Sequence, residues 1–182
     1  LALQATPSGS VAPTSPDHLA VLAPVNAVFD ALAARSAAGL DAHFDPTAQL
    51  TVVHERAGAE SRVTHITLQQ LTGGLEPGPE RLEEVMINPT VAVNGDVAMV
   101  WGEYVFRIDG RLSHCGGDQC NRVRQAGVWK IASLTWNQRT TGCEALDAAA
   151  RAQYKHIGEN LRRSLREQNS RMLMAMVTGR KW

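Results

Sequence analysis

An α+β fold in which an antiparallel sheet curls around a leading helix is predicted by the order of two hydrophobic periods along the chain. Leu22, Val25, Phe29 and Leu32 recur at helical spacing near its start. From about residue 81 the pattern changes to long strands punctuated by turn dipeptides: Asn94-Gly95, Asp109-Gly110 and, more weakly, Gln125-Ala126 before Gly127. Asn-Gly and Asp-Gly are strong hairpin signals because a type I′ turn needs positive φ at both central residues.

The elements follow in order. Residues 1–17 are rich in Ala, Pro, Ser and Thr without a hydrophobic period, and read as a disordered leader. Asp17 can cap one amphipathic helix that runs to about residue 38. A short helix at 39–44 comes next, then a strand at 49–54, then a helix at 66–71 that Thr64 caps and Gly73-Gly74 ends. Four antiparallel strands are expected at about 81–93, 96–108, 111–124 and 127–138. Past Gly142-Cys143, apolar positions recur every three or four residues from Ala150 through Tyr154, Ile157, Leu161 and Leu165 to Met172 and Met176. The chain therefore divides into the leader, an α+β domain at 18–143 and a basic amphipathic C-terminal helix at 144–182.

Composition narrows the function classes. With 18 basic and 18 acidic residues there is no global field to attract nucleic acid. The balance is uneven, however: residues 151–182 hold eight Lys or Arg against two Glu, which leaves the first 150 residues net acidic. No stretch reaches the ~18 consecutive apolar residues of a membrane span. Leu1-Ala-Leu-Gln-Ala5 before Thr-Pro-Ser-Gly-Ser resembles the end of a secretory signal, so a periplasmic or secreted protein is expected, and a cytoplasmic one otherwise. No nucleotide loop, phosphate-binding glycine run or metal motif occurs, and neither cofactor nor metal is expected; His114-Cys115 with Cys120 matches no common zinc spacing.

Two-residue hairpins fix register. The Asp109-Gly110 turn pairs Ile108 with Arg111, and the Gln125-Ala126 turn pairs Arg124 with Gly127. Continued along the strands, these pairings set Asp118 opposite Trp101 and Ser133, Gly116 opposite Glu103 and Thr135, and His114 opposite Val105 and Asn137. Glu103, His114 and Asp118 then share a face with Trp101, Trp129, Ser133, Thr135 and Asn137. Tyr104, Phe106, Cys115, Leu134 and Trp136 lie on the other, whose apolar character predicts a homodimer or higher homo-oligomer. Two carboxylates and a histidine amid tryptophans form a candidate pocket, because burial and like-charge proximity raise carboxyl pKa values toward neutrality. The same register separates Cys115, Cys120 and Cys143, so three free thiols are expected.

Val25-Asn-Ala-Val-Phe-Asp-Ala-Leu32 on the first helix, Gly95-Asp-Val-Ala-Met-Val-Trp-Gly-Glu-Tyr104, Ser113-His-Cys-Gly-Gly-Asp118, Gly127-Val-Trp-Lys-Ile131 and Thr140-Thr-Gly-Cys143 together resemble the nuclear transport factor 2-like superfamily. The branch they resemble is that of bacterial proteins labelled lumazine-binding, near the polyketide-cyclase-like group. The resemblance implies a cone, a curved sheet wrapped on a long helix and open at one end, commonly dimeric. It also implies a range of functions, from isomerases, dehydratases and cofactor-free lyases to pure binding modules. Asp118 resembles the neutral carboxylic acid of ketosteroid isomerase. Phe29 stands where that enzyme has a tyrosine, and Val52 to His54 replace its base. Asp30 resembles the helix aspartate of the dehydratases, but Met86, Ile87 and Asn88 stand near the position of their histidine.

Two functions compete. The first is a cofactor-independent lyase, dehydratase or isomerase acting on a hydrophobic, aromatic or polycyclic small molecule. Asp118 and Glu103 would exchange protons and His114 would assist, while Trp101, Trp129, Ser133, Thr135, Asn137, Phe29 and His54 would hold the substrate. The second is a noncatalytic binding or oligomerisation module. The discriminator is whether both acids point into one accessible cavity.

Overall fold

The computed structural model describes residues 16–178, with side chains from 17 to 168. The expected leader therefore lies almost wholly outside the described residues. Helix α1 (Pro16–Ala33) leads, followed by the short α2 (Ala37–Asp41) and strands β1 (Phe44–His54) and β2 (Arg62–Thr67). Helix α3 (Leu68–Gly73) precedes β3 (Leu82–Asn94), β4 (Val97–Ile108), β5 (Arg111–Gln125) and β6 (Val128–Gln138), and α4 (Glu144–Thr178) closes the chain. The six strands form one curved, unclosed sheet in the order β2-β1-β6-β5-β4-β3, antiparallel except for the β1–β6 pair.

Helix α1 lies against the concave face because Val21, Val25, Val28 and Ala31 recur on one side of it, and all four are buried. Burying each valine contributes about 1.5–3 kcal/mol. Arg122, fully buried on β5, ties the sheet to this helix by donating Nη1 to the Val21 carbonyl at 2.9 Å. Strand β2 is not among the elements the sequence predicts. The helix that follows it starts later than expected, with Thr67 and not Thr64 as its cap: the Thr67 hydroxyl accepts from Gln70 N, and the Gln70 side chain accepts from Thr67 N.

Register is where the expectations fail. The Asp109-Gly110 turn holds, and both residues have positive φ. Ser113 is then an extra residue in β5: Arg107 pairs with Leu112, but Phe106 pairs with His114. The next turn is Ala126-Gly127, not Gln125-Ala126, again with positive φ at both positions. Ala132 is a second extra residue, because Arg122 pairs with Ile131 and Asn121 with Ser133. Each bulge shifts the ladder by one residue and exchanges the two faces beyond it. Asp118 therefore lies opposite Gly102 and Trp136 rather than Trp101 and Ser133.

The convex face is partly covered by α4. Val85, Ile87, Val105, Cys115, Cys143 and Ala150 form one buried cluster there, joined by Leu146. Cys115 and Cys143 form a disulfide across it, which corrects the expectation of three free thiols; Cys120 alone is free, and it is buried. The chain leaving β6 bridges back to β5, with Cys115 N donating to the Arg139 carbonyl at 3.0 Å and Arg139 N to the Cys115 carbonyl at 2.9 Å. That crossing brings Cys143 over Cys115.

Candidate functional site

Tyr104, Leu134 and Trp136, expected on an outer face, instead line a cavity between the sheet and α1. The cavity measures about 160 Å³. Val25, Val28, Phe29 and Leu32 of α1 form one wall, and Ile131, Leu134 and Trp136 of β6 form another. Its polar end is Glu84, Tyr104 and Asp118. Gly102 stands opposite Asp118, where a Cβ would lie 2.5 Å from Met86 Cγ.

The carboxyls of Glu84 and Asp118 are hydrogen-bonded to each other. Asp118 is 5% exposed and Glu84 half-buried. Burial pushes Asp118 up to about 7, and the bond it accepts from Glu84 limits the rise. Glu84 is raised well above the ordinary carboxyl range by burial, then by the Asp118 charge and by donating its proton to Asp118. The pair behaves as a unit in which both carboxyls are held above the ordinary range, Asp118 at about 7. Burial, followed by the charges of Asp118 and Glu84, also pushes the Tyr104 phenol up, so it stays a neutral donor. Its hydroxyl donates to the Asn137 carbonyl at 3.0 Å.

That contact requires β5 and β6 to approach closely. A Cβ at Gly116 would fall 1.8 Å from the Asn137 carbonyl oxygen, so only glycine fits. The Asn137 side chain then takes over from the backbone ladder: its Oδ1 accepts from Gly117 N at 2.6 Å, and its Nδ2 donates to Glu55 at 2.7 Å.

The structure divides the residues expected to share one site. Asp118 and Phe29 line the cavity. His114 is on the concave face but packs into the wall, stacked on Phe106 with ring centroids 4.8 Å apart and edge-on to Tyr104 at 5.8 Å. Burial and, secondarily, His54 lower its pKa to about 4, so it is neutral at physiological pH. Trp129 packs in the core with Val21, Ala98 and Val100, beneath the Arg124 guanidinium 4.9 Å from its ring.

Glu103, Trp101, Thr135 and Asn137 lie on the convex face, where they line a separate shallow groove of about 290 Å³ with Gly117 and Gln119. Ser133 is also on that face, accepting from Asn121 Nδ2 at 2.9 Å. The pairing of Asp118 with Glu103 is therefore corrected: the bulges at Ser113 and Ala132 reverse the faces, and Glu84 is the second acid. Glu84 and Tyr104 were missed. The available signal was the Glu83-Glu84 doublet within an apolar strand, since a strand must send one of two adjacent residues to each face.

No family model matches the chain, and no curated protein matches it. Solved structures do match. A nuclear transport factor 2-like protein from Cytophaga hutchinsonii aligns with a TM-score of 0.56 at 11% identity, over 69% of this chain and 100% of its own. A candidate beta subunit of an aromatic-ring-hydroxylating dioxygenase from Novosphingobium aromaticivorans aligns at 0.55 and 14% identity, over 72% and 94%. A candidate calcium/calmodulin dependent protein kinase II association domain from Xanthomonas campestris aligns at 0.53 and 19% identity, over 72% and 94%. At these identities the likeness carries the fold and not the branch within it.

Proposed function

We propose, from the nuclear transport factor 2-like cone that this chain forms, that its interior cavity binds a hydrophobic small molecule and exchanges a proton with it through Asp118 and Glu84. The reading is a cofactor-independent acid/base enzyme of the lyase, dehydratase or isomerase kind. One observation carries it: a hydrogen-bonded carboxyl pair, Asp118 buried and Glu84 half-buried, stands with Tyr104 at one end of a cavity whose other walls are apolar. A carboxyl near pH 7 can act as acid or base at physiological pH, a contribution of about 10² to 10⁴ in rate. The volume of about 160 Å³ favours a single ring over a polycyclic skeleton, since an apolar cavity of about 150 Å³ holds benzene. The expected substrate is neutral and monocyclic, with one carbonyl or hydroxyl oxygen directed at Asp118. An ionised carboxylate there would meet like charge.

The Cys115–Cys143 disulfide supports the periplasmic or secreted setting, where such bonds persist. The second reading, a noncatalytic binding or assembly module, draws on the likeness to the candidate kinase association domain and dioxygenase beta subunit. The part of the convex face around Trp101 that α4 leaves open, with Trp101 45% exposed, is where a second copy would pack.

The test screens neutral monocyclic ketones, alcohols and phenols for binding by NMR, then for turnover. Asp118→Asn should lower kcat by about 10² to 10⁴ with little change in affinity, and Glu84→Gln should do the same. Full turnover in Asp118→Asn would leave only the binding reading.

A further inference from the structure

Helix α4 is anchored over its first three turns, and among the described residues its side chains from Tyr154 to Gln168 are almost all exposed. Its root is held by the Cys115–Cys143 disulfide, by the Arg107–Asp147 ion pair at 2.7 Å and by Gln153. The Gln153 amide donates to the Met86 carbonyl at 3.0 Å, and its oxygen accepts from Asn88 N at 3.1 Å. Beyond this point the apolar stripe has no cover among the described residues. Tyr154 is 48% exposed, Ile157 54%, Leu161 59% and Leu165 50%. Residues 155–178 span about 36 Å of helix.

The spacing of the stripe indicates the shape of its partner. Positions 154, 157, 161 and 165 are separated by three, four and four residues, and the sequence repeats those steps through Gln168, Met172 and Met176. This is an 11-residue period, about 3.67 residues per turn, which barely drifts on a straight helix and differs from the 3.5 of a left-handed coiled-coil seam. The four described side chains fall within an arc of about 80° at about 100° per residue. The spacing excludes a left-handed seam and suits either a flat surface or a right-handed helix pair.

Charge indicates the chemistry of that surface. Lys155, Arg162 and Arg166 form a row beside the stripe on the same projection, and none has an ion-pair partner among the described residues. Glu159, Arg163 and Glu167 project to the far side, Glu159 about 20° beyond Arg166, and the other flank carries Gln153, Asn160 and Ser164. An apolar row with cations beside it and acids turned away is the order of a helix lying in the plane of anionic headgroups, where long basic side chains extend to the phosphates. A second copy of α4 would instead bring another basic segment of the same sign.

We infer that the projecting half of α4 docks on an anionic phospholipid surface, with Ile157, Leu161 and Leu165 at the acyl-chain boundary and Lys155, Arg162 and Arg166 at headgroup level. The full chain is sedimented with phosphatidylcholine vesicles and with vesicles containing about one-third phosphatidylglycerol. Binding to the anionic vesicles should be stronger by about tenfold or more, and high salt should remove the difference. Leu161→Glu should abolish binding to both vesicle types, and Arg162→Glu with Arg166→Glu should remove the preference for anionic lipid. These positions are exposed, so an unchanged thermal transition should accompany each loss. The inference is overturned by wild-type protein that stays in the supernatant with anionic vesicles, or by Leu161→Glu that binds as wild type does. Self-association that Leu161→Glu dissolves, without vesicle binding, overturns it as well and assigns the stripe to a second copy.

Discussion

Glu83 and Glu84 are neighbours on β3, and the pleat sends them to opposite faces of one sheet with opposite consequences. On the convex face Glu83 meets a cation: Arg107, 3% exposed, reaches Glu83 at 3.4 Å and Asp147 at 2.7 Å. On the concave face Glu84 meets another acid, Asp118. Both sites bury charge-bearing groups, so burial alone does not distinguish them. The sign of the partner does. Opposite charges make a clamp that fixes α4 to the sheet, whereas like charges make a store of exchangeable protons facing a cavity.

Breaking the clamp should produce the largest change in stability. Arg107→Ala removes a buried cation, leaves Glu83 without its partner and leaves Asp147 only the exposed Arg151, at a cost of about 3 kcal/mol in urea denaturation. If the loss were under about 0.5 kcal/mol, the convex cluster would not depend on its ion pairs.

The two faces should also answer pH with opposite sign. Burial pushes Asp147 up, but hydrogen bonds from Arg151 and Arg107 outweigh it and hold its carboxyl below the ordinary 3.8. Its contribution is present above that value and is lost as pH falls through the folded pKa. Asp118 keeps its proton in the fold up to about 7, while the unfolded chain releases it near 3.8. The folded state binds more protons across that window, so this term falls as pH rises through it. His114, neutral in the fold down to about 4, adds the reverse slope up to 6.5. The informative measurement is therefore the difference between wild type and Asp118→Asn. The stability of the variant relative to wild type should rise steadily as pH increases from about 4 to about 8. A constant difference across this range would mean that Asp118 does not hold a proton in the fold.

Glu103→Gln sharpens the same contrast with the smallest effect. The residue is exposed on the convex face, so stability should stay within about 0.5 kcal/mol and any turnover within about twofold. A catalytic loss like that of Asp118→Asn would reinstate the one-face site.

The strands, the Asp109-Gly110 turn and the importance of Asp118 were legible because each rests on local pattern. The composition of the site was not. Ser113 and Ala132 carry no mark that distinguishes a bulged residue from an ordinary one, and each exchanges the faces of everything beyond it. Sliding the Gln125-Ala126 turn by one residue added a further shift. Together these moved Glu103, Trp101, Ser133, Thr135 and Asn137 out of the candidate pocket and brought Tyr104, Leu134 and Trp136 in. The Cys115–Cys143 bridge was lost for the same reason, since a register wrong by three residues removes Arg139 from beside Cys115. Strand β2 escaped because its burial is slight, with Val63 55% exposed, which leaves little hydrophobic alternation to read.

Helix α4 covers its share of the convex face from within the same chain, and the disulfide makes that cover permanent while it stays oxidised. A lid supplied by a neighbouring molecule would come away on dilution, and the melting temperature would climb with protein concentration. Here the closing surface is always present at the same local density, whether the protein is crowded or scarce. The stability that Val85, Ile87, Val105 and Ala150 draw from being enclosed is therefore a property of one molecule and not of a population.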